Sequence, residues 1–219
     1  MSDAIQRNGL IAQGIQFSVL ARAFPVLRHD ALKPISNAKL AAAMMQRNSD
    51  DTFEHAGERS QQLLADIDFM LDEGVDTVRQ LADWLSDSEK VVSVDALARD
   101  CAKLLFTELL LSGKKVVVEH EGECPRVPLF AGRYVMLCWL LFLVEQAPDG
   151  SELRITCVSN TSVRAVLTPG AGSTIIRPTE PVSQPIITLS ACEALAAHHG
   201  WVLHSGEGSW VLDLPSDTN

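Results

Sequence analysis

From about Asn8 to Met45 every residue tolerates a helix except Pro25 and Pro34, and a run of that length leaves few folds open. Stepping about 100° per residue along it places Leu27, Ala31, Pro34, Ile35, Ala38, Ala42 and Met45 on one narrow stripe. Arg22, His29, Lys33 and Ser36 fall nearly opposite, so the apolar stripe packs and the histidine faces water. Pro34 has no amide hydrogen, which deprives the Asp30 carbonyl of its helical partner and predicts a bend beside His29.

Asn48-Ser49-Asp50-Asp51 supplies turn chemistry, with Asp51 or Thr52 able to cap a second helix. There Phe53, Ser60, Leu63 or Leu64, Ile67, Met70 or Leu71, Val75, Val78, Leu81 and Leu85 recur at three-to-four spacing. Two such helices make a hairpin. Alone, a hairpin leaves much of each stripe wet at about 25 cal/mol per Å², and two hairpins pairing as a four-helix bundle remove that cost. The expectation is a homodimer.

Ser86 to Lys90 is polar and breaks the period, which divides the chain into a helical hairpin domain over 1–87 and a second domain over 91–219. In the second, Ser93 caps a helix running to about Ser112, with Val94, Leu97, Cys101, Leu104 and Leu105 inward, and Val116 to Val118 reads as a strand. Leu129 to Ala147 is a helix apolar nearly all round and therefore buried. Two strands follow over Leu153–Val158 and Val163–Leu167, then a glycine- and proline-rich segment, a helix over Thr188–His199, and strands over Trp201–His204 and Trp210–Leu214. The fold class is α plus α+β: the hairpin, then helices on one face of a mixed sheet.

The formal net charge of −10 argues against nucleic acid or an anionic membrane as partner. Between Asp50 and Asp87 there are 11 acidic residues and two arginines, so the second helix carries most of the excess. The start lacks the pattern of a signal peptide, and the longest apolar run, the 11 residues Tyr134 to Val144, falls short of the about 20 a membrane span needs. Cys101, Cys124, Cys138, Cys157 and Cys192 are odd in number and without C-x-x-C spacing, which predicts reduced thiols, a cytoplasmic location and no metal site.

This order of parts resembles the cytoplasmic core of bacterial sensor histidine kinases, a phosphoacceptor hairpin followed by a Bergerat-type nucleotide-binding domain. That family's acceptor box runs His, acidic, apolar, basic or polar, polar, Pro. Here it is His29-Asp30-Ala31-Leu32-Lys33-Pro34, with departures at Leu32 and Lys33. The nucleotide boxes are degraded. Leu141 to Ala147 holds Phe142 and Gln146 at the asparagine positions, and Thr168-Pro169-Gly170-Ala171-Gly172 has Thr168 for the adenine-reading aspartate. Ile186-Ile187-Thr188-Leu189 replaces Gly-x-Gly-Leu, which removes the close backbone approach a phosphate needs. His199-Gly200 still matches the family's closing motif, with Trp201 after it.

An intact acceptor box with a decayed nucleotide domain resembles the bacterial dimeric histidine phosphotransferases, which relay phosphate between receiver domains. The resemblance implies His29 as phosphoryl carrier, Asp30 orienting its ring or taking its proton, and Lys33 steadying phosphoryl oxygens. Arg22, Arg28, Pro34 and Ser36 support the site. It also implies no cofactor bound by this chain, magnesium supplied by the partner, and response regulator receiver domains or a hybrid histidine kinase as partners. Two other readings stay open: a divergent kinase still using ATP, and a dimeric docking regulator that carries no phosphate. From the residues alone, Gly170 and Gly172 form a turn, while His198 and His199 sit at a helix C-terminus.

Overall fold

The computed structural model describes residues 2–48, 56–87, 89–119, 123–170, 185–206 and 208–215. The expected turn at Asn48–Asp51, its capping Thr52, Phe53, Gly172 and the Ser60 side chain lie outside what is described. Two compact units divide the chain: Phe24–Ser86, and Met1–Ala23 together with Asp87–Asn219. The residues before Phe24, expected with the hairpin, therefore group with the C-terminal part.

Helix α1 (Ser2–Asn48) runs through Pro25 and Pro34 without ending, since each proline removes one hydrogen bond and leaves those on either side. It contributes to both units. Within Phe24–Ser86, α1 buries Ala31, Pro34, Ala38 and Ala41, and helix α2 (Ala56–Ala82) with the turn after it buries Gly74 and Trp84. These are mostly small side chains, and the helices come close: a Cβ built on Gly74 would lie 3.4 Å from Ile35 Cγ1 and 3.7 Å from Pro34 Cβ.

The inner face of α2 is Leu63, Ile67, Met70, Gly74, Thr77 and Leu81, a four-three alternation, with Trp84 continuing it beyond the helix. Several residues expected on the packed faces are instead exposed: Ile35, Val75, Val78 and Leu85, with Leu64 and Leu71 beside them. The helix has two apolar stripes, and one neighbour covers only one.

In the other unit, strand β1 (Val91–Ser93) pairs antiparallel with β3 (Arg126–Pro128), two pieces too short for a period-2 signal. The helix expected through Ser112 is two, α3 (Val94–Leu104) and α4 (Phe106–Leu111). Leu105 breaks it at φ −97° and ψ 2°, where its N–H bonds Ala102 O at 3.1 Å, and the turn puts both Leu105 and Leu109 in the core.

The main sheet has five strands in the order β2 (Lys115–Glu119), β4 (Glu152–Ser159), β5 (Ser162–Thr168), β7 (Ser209–Asp213), β6 (Val202–Gly206). Only β2 and β4 are parallel, joined by a crossover that contains α5 (Leu129–Gln146). Leu153, Ile155, Cys157, Val163, Ala165 and Leu212 on one face are buried; α3, α5 and α6 (Leu189–His198) supply the helices of this core. Twelve residues of α5 are buried, and Phe142 meets Trp210 of β7 edge to face at 6.4 Å between centroids. By length and composition two helical stretches, Gln6–Arg47 and Leu129–Gln146, could cross a membrane; the second owes its apolarity to its place in this core.

Close approach, of backbone at one and of side chains at the other, explains two glycines. A Cβ on Gly170 would fall 1.9 Å from Gly150 O, and one on Gly132 would lie 2.7 Å from Leu97 Cδ2 and 2.8 Å from Val127 Cγ2. Lys114, although charged, is buried at the end of α5, where Nζ donates to Val144 O at 2.7 Å beside Asp149 at 3.8 Å. The expectation of five reduced thiols fails in one pair. Cys124 and Cys157 form a disulfide, because Cys124, two residues before β3, lies against Cys157 on the inner face of β4.

Candidate functional site

Helical geometry sets out the segment from Arg28 to Ser36, where phosphoryl acceptance is expected. His29, Asp30, Lys33, Ser36 and Arg28 are exposed, while Ala31 and Pro34 turn inward, so the residues expected to act and those expected to pack fall on different faces of α1. The His29 side chain is 75% exposed. Its Nδ1 lies 3.3 Å from Asp30 Oδ1. An ionised carboxylate only accepts, so this pairing places the ring proton on Nδ1 and leaves the lone pair on Nε2. Lys33 follows one turn later, about 6 Å along the helix axis, on the same side.

Beneath the exposed site lies the tight Gly74–Pro34 approach. A lone glycine inside a clear helical period is the sequence signal that marks such a position. Pro34 is thus part of the packed seam, and Ser36 is on the exposed side without a role fixed by contact.

Arg22 is elsewhere. Expected on the open face with His29, its side chain is only 9% exposed, and it lies in the other unit. Nη1 binds Glu145 of α5 by a short ion-paired hydrogen bond and Pro185 O at 3.3 Å; Nη2 reaches Glu108 of α4 at 3.2 Å. Its partners are distant in sequence, which is why stepping around the helix could not find them. Further along the same face, Gln16 Nε2 lies 3.3 Å from His199 Nε2, and Ala12, Val19 and Ala23 are buried.

The segments that resemble nucleotide boxes have other engagements. Phe142 is a buried core residue, Glu145 is held by Arg22, and the Thr188 hydroxyl caps α6 by accepting from Ala191 N at 3.2 Å. Trp201 is buried. Burial, reinforced by the neighbouring His198, holds the His199 imidazole below its ordinary pKa, with Asp87 opposing. Burial also pushes the Cys101 thiol up to about 12, which makes it inert. Among the described residues, no cluster of three or more His, Cys, Asp or Glu could hold a metal ion.

No protein-family model and no curated protein matches the chain. Solved structures do. It is similar to the catalytic domain of histidine kinase ThkA, at 15% identity and TM-score 0.42, over 57% of this chain and 95% of that one. The likeness to Acinetobacter baumannii histidine kinase AdeS has 14% identity and TM-score 0.45, over 87% and 98%. A third, at 16% identity and TM-score 0.41 over 91% and 62%, is to ThkA in complex with the response regulator TrrA.

Proposed function

We propose that this chain is a histidine phosphotransferase of a two-component relay, with His29 carrying the phosphoryl group between receiver aspartates. One observation carries the reading: a three-quarters-exposed imidazole, held at Nδ1 by the adjacent Asp30, stands on the solvent side of a helix whose proline five residues on, Pro34, is packed. The engagement of Phe142, Glu145 and Thr188 in packing, pairing and capping supports a C-terminal unit that serves structure and not ATP hydrolysis.

In the step proposed, the Nε2 lone pair attacks the phosphorus of a receiver's aspartyl phosphate in line. The N–P bond forms as the P–O bond to the acyl oxygen breaks, and the receiver's carboxylate leaves with that electron pair. Nδ1–H stays on the ring, and Asp30 offsets the imidazolium charge. Lys33 meets the non-bridging oxygens. Reversal onto a second receiver completes the relay. Magnesium held by the receiver would supply charge neutralisation at the phosphoryl oxygens.

The exposed stripe of Leu64, Leu71, Val75, Val78 and Leu85 supports pairing of two hairpins as a homodimer. Mixing the protein with a phosphorylated receiver tests the function: acid-labile label on Nε2 of His29, absent in His29→Ala, is expected. Label that survives this substitution, or a His29→Gln variant with full activity in the cell, overturns it. For the ATP-using alternative, the decisive measurement is calorimetry with ATP and magnesium, where no binding tighter than millimolar is expected.

A further inference from the structure

The open face of the main sheet carries a second oriented imidazole. Strand register places Glu119, Thr156, Arg164, Val211 and His204 in one row across all five strands. Their sequence neighbours Ile155, Cys157, Val163, Ala165 and Leu212 are buried on the opposite face, so the row projects to solvent. His204 and Arg164 stand two strands apart, about 10 Å between Cα atoms, with the short side chain of Val211 between them. That spacing would let a tetrahedral anion lie over the valine between a guanidinium and an imidazole.

The imidazole is fixed. Nε2 of His204 lies 3.1 Å from Asp213 Oδ2, with side chains 59% and 42% exposed, and the Ser162 hydroxyl donates a short hydrogen bond to Asp213 Oδ1. The carboxylate accepts from both, so the ring proton is on Nε2 and the lone pair on Nδ1, the reverse of His29. His198 offers an internal contrast: it is exposed, and its ring neighbour is His199.

We propose that His204 is a second phosphoryl-accepting residue, taking the group at Nδ1 from a small acyl phosphate, with Asp213 positioning the ring and Arg164 holding the phosphoryl oxygens. The Nδ1 lone pair attacks phosphorus, the N–P bond forms, the P–O bond to the acyl oxygen breaks, and the carboxylate leaves with the electron pair. Nε2–H remains bound to Asp213, which offsets the imidazolium charge. No proton leaves the ring, and no oxidant or reductant enters.

The test uses the full chain carrying His29→Ala, acetyl phosphate as donor, site mapping by mass spectrometry, and ³¹P NMR to identify the ring nitrogen. The expected result is Nδ1-linked phosphate on His204, formed at least about tenfold faster than label on His198 of the same molecules. Asp213→Asn is expected to slow labelling about tenfold, and Arg164→Gln to raise the acetyl phosphate concentration needed for half-maximal rate. Labelling of His204 at the rate of His198, linkage at Nε2, or an Asp213→Asn rate equal to the parent overturns the proposal. The rate comparison and the nitrogen assignment need only the parent protein, so a poorly folding variant leaves both readable. Because His29 is absent from every arm, failure here leaves the relay reading untouched, and failure of the relay leaves this one.

Discussion

At the scale of single residues, charge placement separates Arg22 from His29, seven positions apart on one helix. Removing one partner of a buried ion pair leaves the other charges uncompensated, at about 3–5 kcal/mol when all are buried. Glu108 keeps much of its water, so Arg22→Ala is expected to cost less, about 2–3 kcal/mol in urea unfolding, with Arg22→Lys intermediate because an ammonium cannot fork between two carboxylates. His199 gives a pH signature. Its folded pKa is depressed, so the unfolded chain binds the proton more readily, and stability present above pH 6.5 falls as the pH drops through that value. Denaturation midpoints at several pH values should show the loss, and His199→Gln should flatten it.

At the scale of elements, the long periodic helices and the uniformly apolar α5 were legible in the chain, since each rests on many residues repeating one pattern. The two three-residue strands were not, because β1 and β3 hold each other in place through tertiary pairing and carry no period of their own. The same holds for the break at Leu105, where helix propensity continues but burial of Leu105 and Leu109 together requires a turn. The Cys124–Cys157 bond closes a loop with a sequence separation of 33. Loop-closure entropy predicts that reduction lowers stability by about 3–4 kcal/mol, read as a fall in urea midpoint with dithiothreitol that Cys124→Ser reproduces and does not add to. Cys138 and Cys192, whose sulfurs lie 3.5 Å apart in the core, remain thiols.

At the scale of the whole molecule, α2 carries two apolar stripes. The inner one is used within Phe24–Ser86, and the outer one asks for a second hairpin. Sedimentation at micromolar concentration should give twice the 23.8 kDa chain mass, and Leu71→Glu with Val78→Glu should shift the protein to monomer while leaving its helix content intact. A monomeric parent removes the bundle from the reading. Acceptor chemistry at His29 would then have to stand on a hairpin alone.

The amino-acid order by itself determined the two long helices, that Ala31, Pro34 and Ala38 of α1 pack, and that His29 and Lys33 stand on its wet side, because these follow from a local repeat of 3.6 residues. It also determined that Ile186 to Leu189 holds no glycine, so its backbone lacks the close approach a phosphate cradle needs. Only the tertiary structure decided that Arg22 leaves that side to bind Glu108 and Glu145, which are 86 and 123 residues away. It alone decided that Cys157 meets Cys124, and that His204, Asp213 and Ser162 converge on one sheet face. The reason is range: periodicity records what neighbours along a helix share, whereas ion pairs, disulfides and sheet register join residues whose separation in the chain leaves no local trace.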